Sequence, residues 1–279
     1  MIFRQYFPSA PLAKYVHWFW FFEAKEPPHR REHVLPDGTF ELVVDLRDEP
    51  RRMFDRDDAN AATLFRRGWI SGTHSRYIVI DALPNASMIG VHFKPGGAGA
   101  FLGLPAEELR DQVVEIETLW GTAALHLREQ LLAALRPELK FRILERFLLG
   151  RLVAQSSDGL LERRVMYALD QFRRDSEMVR IGEVVDQLGI SHKHFVAQFR
   201  RHVGLAPKMF CRVLRFQDAL AEVAARKTIA WADVAQSCGY FDQAHFATDF
   251  RDFSGFKPST YLRRRDVEYP NFVPVEEPR

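Results

Sequence analysis

The last hundred residues of this chain contain one pattern written twice. Ile181, Val184, Val185 and Leu188 fall at i, i+3, i+4 and i+7 and are followed by Gly189-Ile190. Fifty positions later Trp231, Val234, Ala235 and Cys238 have the same spacing and are followed by Gly239-Tyr240. Past the glycine the match continues at an offset of 51: Phe195, Phe199, Gly204, Pro207 and Phe210 pair with Phe246, Phe250, Gly255, Pro258 and Tyr261. The second copy therefore holds one extra residue in its turn. A fold for this segment has to build the same unit twice.

Each copy reads as a short helix, a glycine-bearing turn and a second helix. The glycine falls just past the first helix, where the chain needs a left-handed residue. Ser191 and Asp242 stand where their side-chain oxygens can cap the second helix. This is the shape of a helix-turn-helix, in which the first helix braces and the second puts its N-terminal turns into the major groove of DNA. Between the copies, Lys208–Lys227 carries Phe210, Val213, Leu214, Gln217, Leu220, Ala221 and Ala224 at helical spacing. Such a helix is about 28 Å long. Successive major grooves on one face of DNA lie roughly 34 Å apart, so a rigid connector of this order suits two reading helices in adjacent grooves.

Charge agrees. The chain carries a net +2, but Leu160–Arg265 holds 18 Lys/Arg against 12 Asp/Glu, a net +6, and the remainder is at −4. A basic C-terminal third favours a polyanionic partner. No run approaches the 18 apolar residues of a membrane helix, and no secretory leader is visible. Two cysteines, Cys211 and Cys238, cannot build a disulfide framework or a thiolate metal cluster. Both are expected to be small buried hydrophobes, and a cytoplasmic setting fits.

The first 95 residues have a different texture. Tyr15–Glu23, Phe40–Leu46, Arg76–Ala82 and Ser87–Lys94 are short, aromatic and β-branched, as strands are. In "SMIGVHFK", Met88, Gly90, His92 and Lys94 share one face, and Ile89, Val91 and Phe93 the other. Pro36-Asp37-Gly38 is a turn, and 53–62 has no periodicity and reads as a mobile loop. After Pro95-Gly96-Gly97 the pattern is helical, with helices over Trp120–Leu135 and Leu139–Val153 broken at Pro137. The stripe Phe141, Leu144, Leu148 and Leu152 packs on its own domain or also forms a homodimer seam. "SSDG" (156–159) is the best linker. The tail, 266–279, has three prolines and reads as an extended arm or a disordered one. The fold class is thus α+β in two domains. A β-rich sandwich or barrel (1–95) followed by helices (96–155) makes the first, and an all-α bundle (160–265) with two helix-turn-helix units and a linker helix makes the second.

The segment from Val179 to Arg263, above all "CGYFDQAHFATDFRDFSGFKPSTYLR", closely resembles the DNA-binding domain of AraC/XylS-family transcription regulators. "LPDGTFELVVD", "GVHFKPGGAGAFLGLPAEEL" and "LWG" resemble the N-terminal domain of one subgroup of the same family. The resemblance implies a seven-helix bundle on promoter DNA, a cupin-like sensory or dimerisation domain, and RNA polymerase as a partner. Carried over by position, Gln243, Ala244, Ala247 and Thr248 on the second reading helix and Lys193, Val196 and Ala197 on the first are base-facing. Gln243 suits an adenine edge, and the alanines suit a thymine methyl. Arg200, Arg201 and Arg251 grip phosphates, which position the protein without specifying sequence. Phe241, Tyr240 and Trp231 read as bundle core, and His245 as a packed or capping residue. Arg263-Arg264-Arg265 is a solvated run or a phosphate contact.

A small-molecule effector would meet the aromatics of the first domain, with Trp18, Trp20, Phe40, Trp69 and His92 as candidate pocket residues. An enzyme is the competing reading: a ligand- or metal-binding cupin-like domain fused to a helical interaction module. His17, His29, His33, Glu41 and His92 lack a His-x-His spacing, so no metal and no cofactor is expected. No Ser/His/Asp or Cys/His constellation stands out, and a methyltransferase of the DNA-repair type would need a reactive cysteine and a cysteine metal cluster. No catalytic residue is assigned.

Overall fold

The protein is described from a computed structural model covering residues 2–58, 60–152, 159–174, 179–226 and 228–275. Two antiparallel sheets form the N-terminal part. Its strands are β1 (Ile2–Tyr6), β2 (Val16–Ala24), β3 (Arg31–Val34), β4 (Glu41–Asp45), β5 (Arg51–Phe54), β6 (Ala62–Phe65), β7 (Gly68–Ser71), β8 (Ile78–Asp81), β9 (Ala86–Phe93) and β10 (Val113–Glu115); β11 (Phe272–Val275) comes from the tail. One sheet has the order β1-β2-β9-β4-β7-β10, the other β11-β3-β8-β5-β6.

The alternation read in "SMIGVHFK" is what splits the six-stranded sheet into two faces. Phe19, Val91, Leu42 and Ile70 pair across four strands and are fully buried. They pack under the helices α1 (Gly99–Leu102), α2 (Ile116–Trp120), α3 (Thr122–Ala133) and α4 (Pro137–Arg151), in a core that includes Phe101, Leu127, Phe141, Leu144 and Leu148. Each such side chain contributes about 1.5–3 kcal/mol. The α4 stripe is therefore committed to its own sheet. Pro137 starts α4 rather than interrupting it, because a first-turn proline loses no hydrogen bond, and Arg136 before it is extended. Gly121, at φ +55, separates α2 from α3, a break the periodicity did not show.

Residues 53–62 correct the sequence reading. Met53 and Phe54 end β5 and Ala62 begins β6, so the segment is a hairpin. Its polar residues make the turn: Asp55 accepts the backbone N–H of Asp57 and Asp58, and Asp58 that of Asn60. Aspartates that turn the chain through their own side chains mask strand periodicity.

The C-terminal part is a helical bundle: α5 (Gly159–Arg174), α6 (Ile181–Leu188), α7 (His192–Val203), α8 (Pro207–Ala225), α9 (Trp231–Ser237), α10 (Gln243–Ser254) and α11 (Pro258–Arg264). Phe195, Phe199, Phe246 and Phe250 are all buried in one core with Phe210, Phe216, Cys211 and Cys238. Burial pushes the Cys211 thiol up to about 12, so it is inert. Of the expected linker "SSDG", residues 156–158 lie outside the described residues, and Gly159 opens α5.

Through residue 275 the tail is tied to both parts of the protein. As β11 it pairs antiparallel with β3, Val273 opposite His33, at the edge of the five-stranded sheet. Val273 is fully buried and, with Leu35, joins the bundle core.

Candidate nucleic-acid interface

The two copies take the same path. α6 ends at Gly189 (φ +64) and α9 is followed by Gly239 (φ +69). The side chain of Ser191 accepts the His194 N–H at 3.3 Å, and Asp242 accepts that of His245 at 2.7 Å. These two bonds cap α7 and α10, the reading helices. α8, 19 residues long, connects the units.

On α10, Gln243, Ala244, Thr248 and Arg251 are exposed and Ala247 is half-buried. The Thr248 hydroxyl donates to the Ala244 carbonyl at 2.9 Å, so only its lone pairs and methyl face outward. On α7, Lys193, Ala197, Arg200 and Arg201 are exposed. Val196 is half-buried and packs on the bundle core, so it is a poorer groove contact than its position suggests. His245 sits edge-on to Tyr240, with ring centroids 5.4 Å apart, and its Nε2 is 3.9 Å from Asp249. Arg264 lies over Phe256 and Arg263 reaches Thr260, so the arginine run is partly anchored to the bundle.

Phe241 overturns its reading as core. Tyr240 is buried and Trp231 packs on the core, but Phe241 is 93% exposed. The reason lies in the repeat. Ile190 matches Tyr240 and Ser191 matches Asp242, so Phe241 is the extra residue of the second turn, with no buried site for it to inherit.

A second difference separates the copies. Asp249 is buried, and Arg212 on α8 binds it through two nitrogens, at 2.6 and 3.2 Å. Arg212 also lies 3.8 Å from Asp252 and over the Phe253 ring. A two-point arginine–carboxylate pair fixes orientation as well as distance, and it clamps α10 to the linker helix. In the first copy Gln198 stands at the position of Asp249 and is half-buried. The repeat gave no sign of this pair, because it appears where the copies differ.

The β-rich domain meets both copies at the same repeat position, through the β7–β8 connection and, in the second copy, β3. Gly204 ends α7 at φ +90, and a Cβ there would lie 2.2 Å from Thr73 Oγ1. Gly255 ends α10 at φ +77, and a Cβ there would lie 2.7 Å from the Tyr77 ring and 2.8 Å from His33. His33 stacks between Tyr77 and Phe256, at 4.1 and 4.5 Å, and its Nδ1 bonds the Ser254 carbonyl at 2.9 Å. Burial, with the Arg264 cation, lowers the His33 pKa against that carbonyl's pull, so the ring is held neutral. Between these points the turn Pro36-Asp37-Gly38 meets α8: Gln217 donates to the Pro36 carbonyl at 2.7 Å, and a Cβ on Gly38 would lie 2.9 Å from the Phe210 ring.

The expected pocket residues divide. Trp20, Gly90, Val43 and Trp69 form one row across the six-stranded sheet, and Trp18, His92, Glu41 and Ser71 the next, on the face turned away from the helices. Trp20 lies over Gly90, where a Cβ would be only 2.3 Å from the indole. Trp18 stacks on His92, and both Trp20 and His92 bond the Glu41 carboxylate, the latter at 2.6 Å. Burial opposes charge on His92, but Glu41, with Asp37 3.7 Å away, raises its pKa to about 9. Phe40 does not belong with them: it is fully buried in the core on the helix side. Among the described residues no group of three His, Cys, Asp or Glu side chains is placed to hold a metal ion, and no helix is long and apolar enough to cross a membrane.

Comparison with known proteins agrees with this geometry. Residues 184–264 match the model of a helix-turn-helix domain, and residues 4–115 that of a domain of unknown function (DUF6597). The HTH-type transcriptional activator RhaS of Escherichia fergusonii is 30% identical over 118 residues, which cover 40% of this chain and 39% of that protein. An uncharacterized HTH-type transcriptional regulator of Haemophilus influenzae is 26% identical over 117 residues, 38% of each. The matches thus span about two fifths of these relatives. The structure of ToxT from Vibrio cholerae aligns over 88% of this chain and 98% of its own, with a TM-score of 0.50 at 10% identity, a likeness of fold. The C-terminal bundle is a helix-turn-helix domain of the AraC type, homologous to that of the RhaS activators. It is joined to a β-rich domain in the two-domain architecture that ToxT has.

Proposed function

We propose that the chain is a cytoplasmic, sequence-specific transcription regulator, not an enzyme, that binds promoter double-stranded DNA and works with RNA polymerase. The observation that supports this best is the pair of capped, exposed reading helices at the two ends of one linker helix, on the basic part of the chain. In this reading Gln243, Ala244, Ala247, Thr248, Lys193 and Ala197 face bases, and Arg200, Arg201 and Arg251 meet phosphates. The sheets' grip on both copies makes the first domain the controlling element. Its ligand is a small molecule held against Trp18, Trp20, Trp69 and His92, and a homodimer is the assembly that would place two such units on one promoter.

Fluorescence anisotropy on random duplexes and on a duplex enriched from a randomised pool tests this. Binding should weaken steeply with salt. Gln243→Ala should lose about 1–3 kcal/mol on the enriched duplex and little on random DNA. Arg200→Ala should weaken both alike and flatten the salt slope. Salt-insensitive binding, or none, would remove the reading. Mass spectrometry of the purified full chain tests the effector by its co-purification.

A further inference from the structure

The second turn puts into water a phenylalanine that the first turn does not have. Phe241 is 93% exposed; among the described bundle residues the other exposed Phe, Tyr or Trp is Tyr167, at 40%, with its hydroxyl bonded to Gln187. Nothing in the fold of the turn needs that ring. Gly239 supplies the left-handed step, Tyr240 fills the core, and Asp242 caps α10. Phe241 comes immediately before the cap, at the end of the helix that would enter the groove first.

The surface it extends carries apolar groups. Ala244 is exposed and Ala247 half-exposed on the outward side of α10, and the Thr248 hydroxyl already donates to the helix backbone. From Phe241 to Ala247 the exposed polar groups are the Asp242 carboxylate, which caps the helix, the Gln243 amide and His245, which turns to Tyr240 and Asp249; there is no Lys or Arg. In the major groove the base edges offer a single apolar group, the C5-methyl of thymine. A reading surface of a phenyl ring and two methyl groups matches thymine, whereas phosphates and the hydrogen-bonding edges of guanine and cytosine match polar or charged side chains.

We propose that Phe241 is a specificity-determining DNA contact, its ring meeting the C5-methyl of a thymine at the edge of the half-site read by α10. The proposal rests on the DNA-binding reading above. It assigns the second copy a thymine-bearing half-site and makes the extra turn residue, rather than the helix alone, part of what is read. The first copy has no counterpart, so the two half-sites are recognised by different chemistry.

The test uses the full-length protein and a duplex that it enriches from a randomised pool. Each thymine of that duplex is replaced in turn by deoxyuridine, which removes the methyl alone. For the wild type, one replacement should weaken binding about fivefold. Phe241→Ala should show the same loss on the unmodified duplex and no further loss at that replacement. Phe241→Leu should retain part of the affinity, and an unchanged urea midpoint in both variants will show that the bundle is intact. The inference is overturned if Phe241→Ala binds as tightly as the wild type, or if every deoxyuridine costs both proteins equally. It is also overturned if the variant keeps its DNA affinity but loses transcription in vitro, which would give the ring a protein partner. In these cases the wild type still selects a sequence and the DNA-binding reading stands; if it selects none, both fail together.

Discussion

The first and second helix-turn-helix units share their core and their path, and differ in how firmly each is held and in what each shows to solvent. The second has a buried carboxylate clamped by Arg212, a shorter cap bond and an exposed aromatic ring in its turn. The first has a half-buried glutamine at the clamped position, a longer cap bond and a lysine, Lys193, among its outward groups. Repetition of a sequence pattern reports the shared buried face; specialisation is written in the residues that break the repeat.

The strongest way to break the comparison is at the clamp. Asp249→Ala should destabilise the protein by about 3 kcal/mol, because it leaves the part-buried Arg212 guanidinium without its partner. Gln198→Ala, the same position in the first copy, should cost within about 0.5 kcal/mol. Urea unfolding of the two variants decides it, and equal losses would mean that the clamp adds nothing.

A smaller effect is expected at the glycines. Gly189 has open space where a Cβ would go, so Gly189→Ala adds only the strain of a left-handed alanine, about 1 kcal/mol. Gly204→Ala and Gly255→Ala add the same strain and also push into Thr73 or into Tyr77 and His33. They should cost about 2 kcal/mol or more and loosen the sheets from the bundle, which limited proteolysis would show as faster cleavage between the two parts. Gly189→Ala should leave that cleavage unchanged.

The smallest expected effect separates the copies by pH. The His33 pKa is lowered below its ordinary 6.5, so the neutral ring's contribution is fully present above that pH and is lost as pH falls below it. Hydrogen exchange, corrected for intrinsic rates, should show α11 and β11 loosening as the pH falls below 6.5, before the contact between Thr73 and Gly204 does. His33→Phe should abolish the difference. Equal loosening at both contacts would show that His33 is not responsible.

What the sequence disclosed follows the same division. Buried faces recur with a period, so β2, β4 and β9, the helical stripe of α4 and both repeats are legible, and β8 is legible from its β-branched run. β3, β5, β6 and β7, at four residues each, are too short for a period to register, and they lack the unbroken β-branched run (Ile78-Val79-Ile80) that marks the equally short β8. Phe241 was read as core because an aromatic beside a buried tyrosine usually is; only counting the insertion against the folded turn exposes it. Phe40 was misplaced for the opposite reason, since composition cannot say which side of a sheet a ring takes. The Arg212–Asp249 pair spans 37 residues and has no local signature.

The strand at Phe272–Val275 changes what a cut at the end of the bundle would do. By sequence pattern, Arg265 is a natural place to stop a shortened protein. In the folded chain the residues just beyond it are the outer strand of the opposite domain, so the bundle is spliced into the β-fold at both of its ends. Removing those residues would strip β3 of its outer neighbour and leave an open row of backbone donors and acceptors, the kind of bare margin that recruits other chains and makes proteins aggregate.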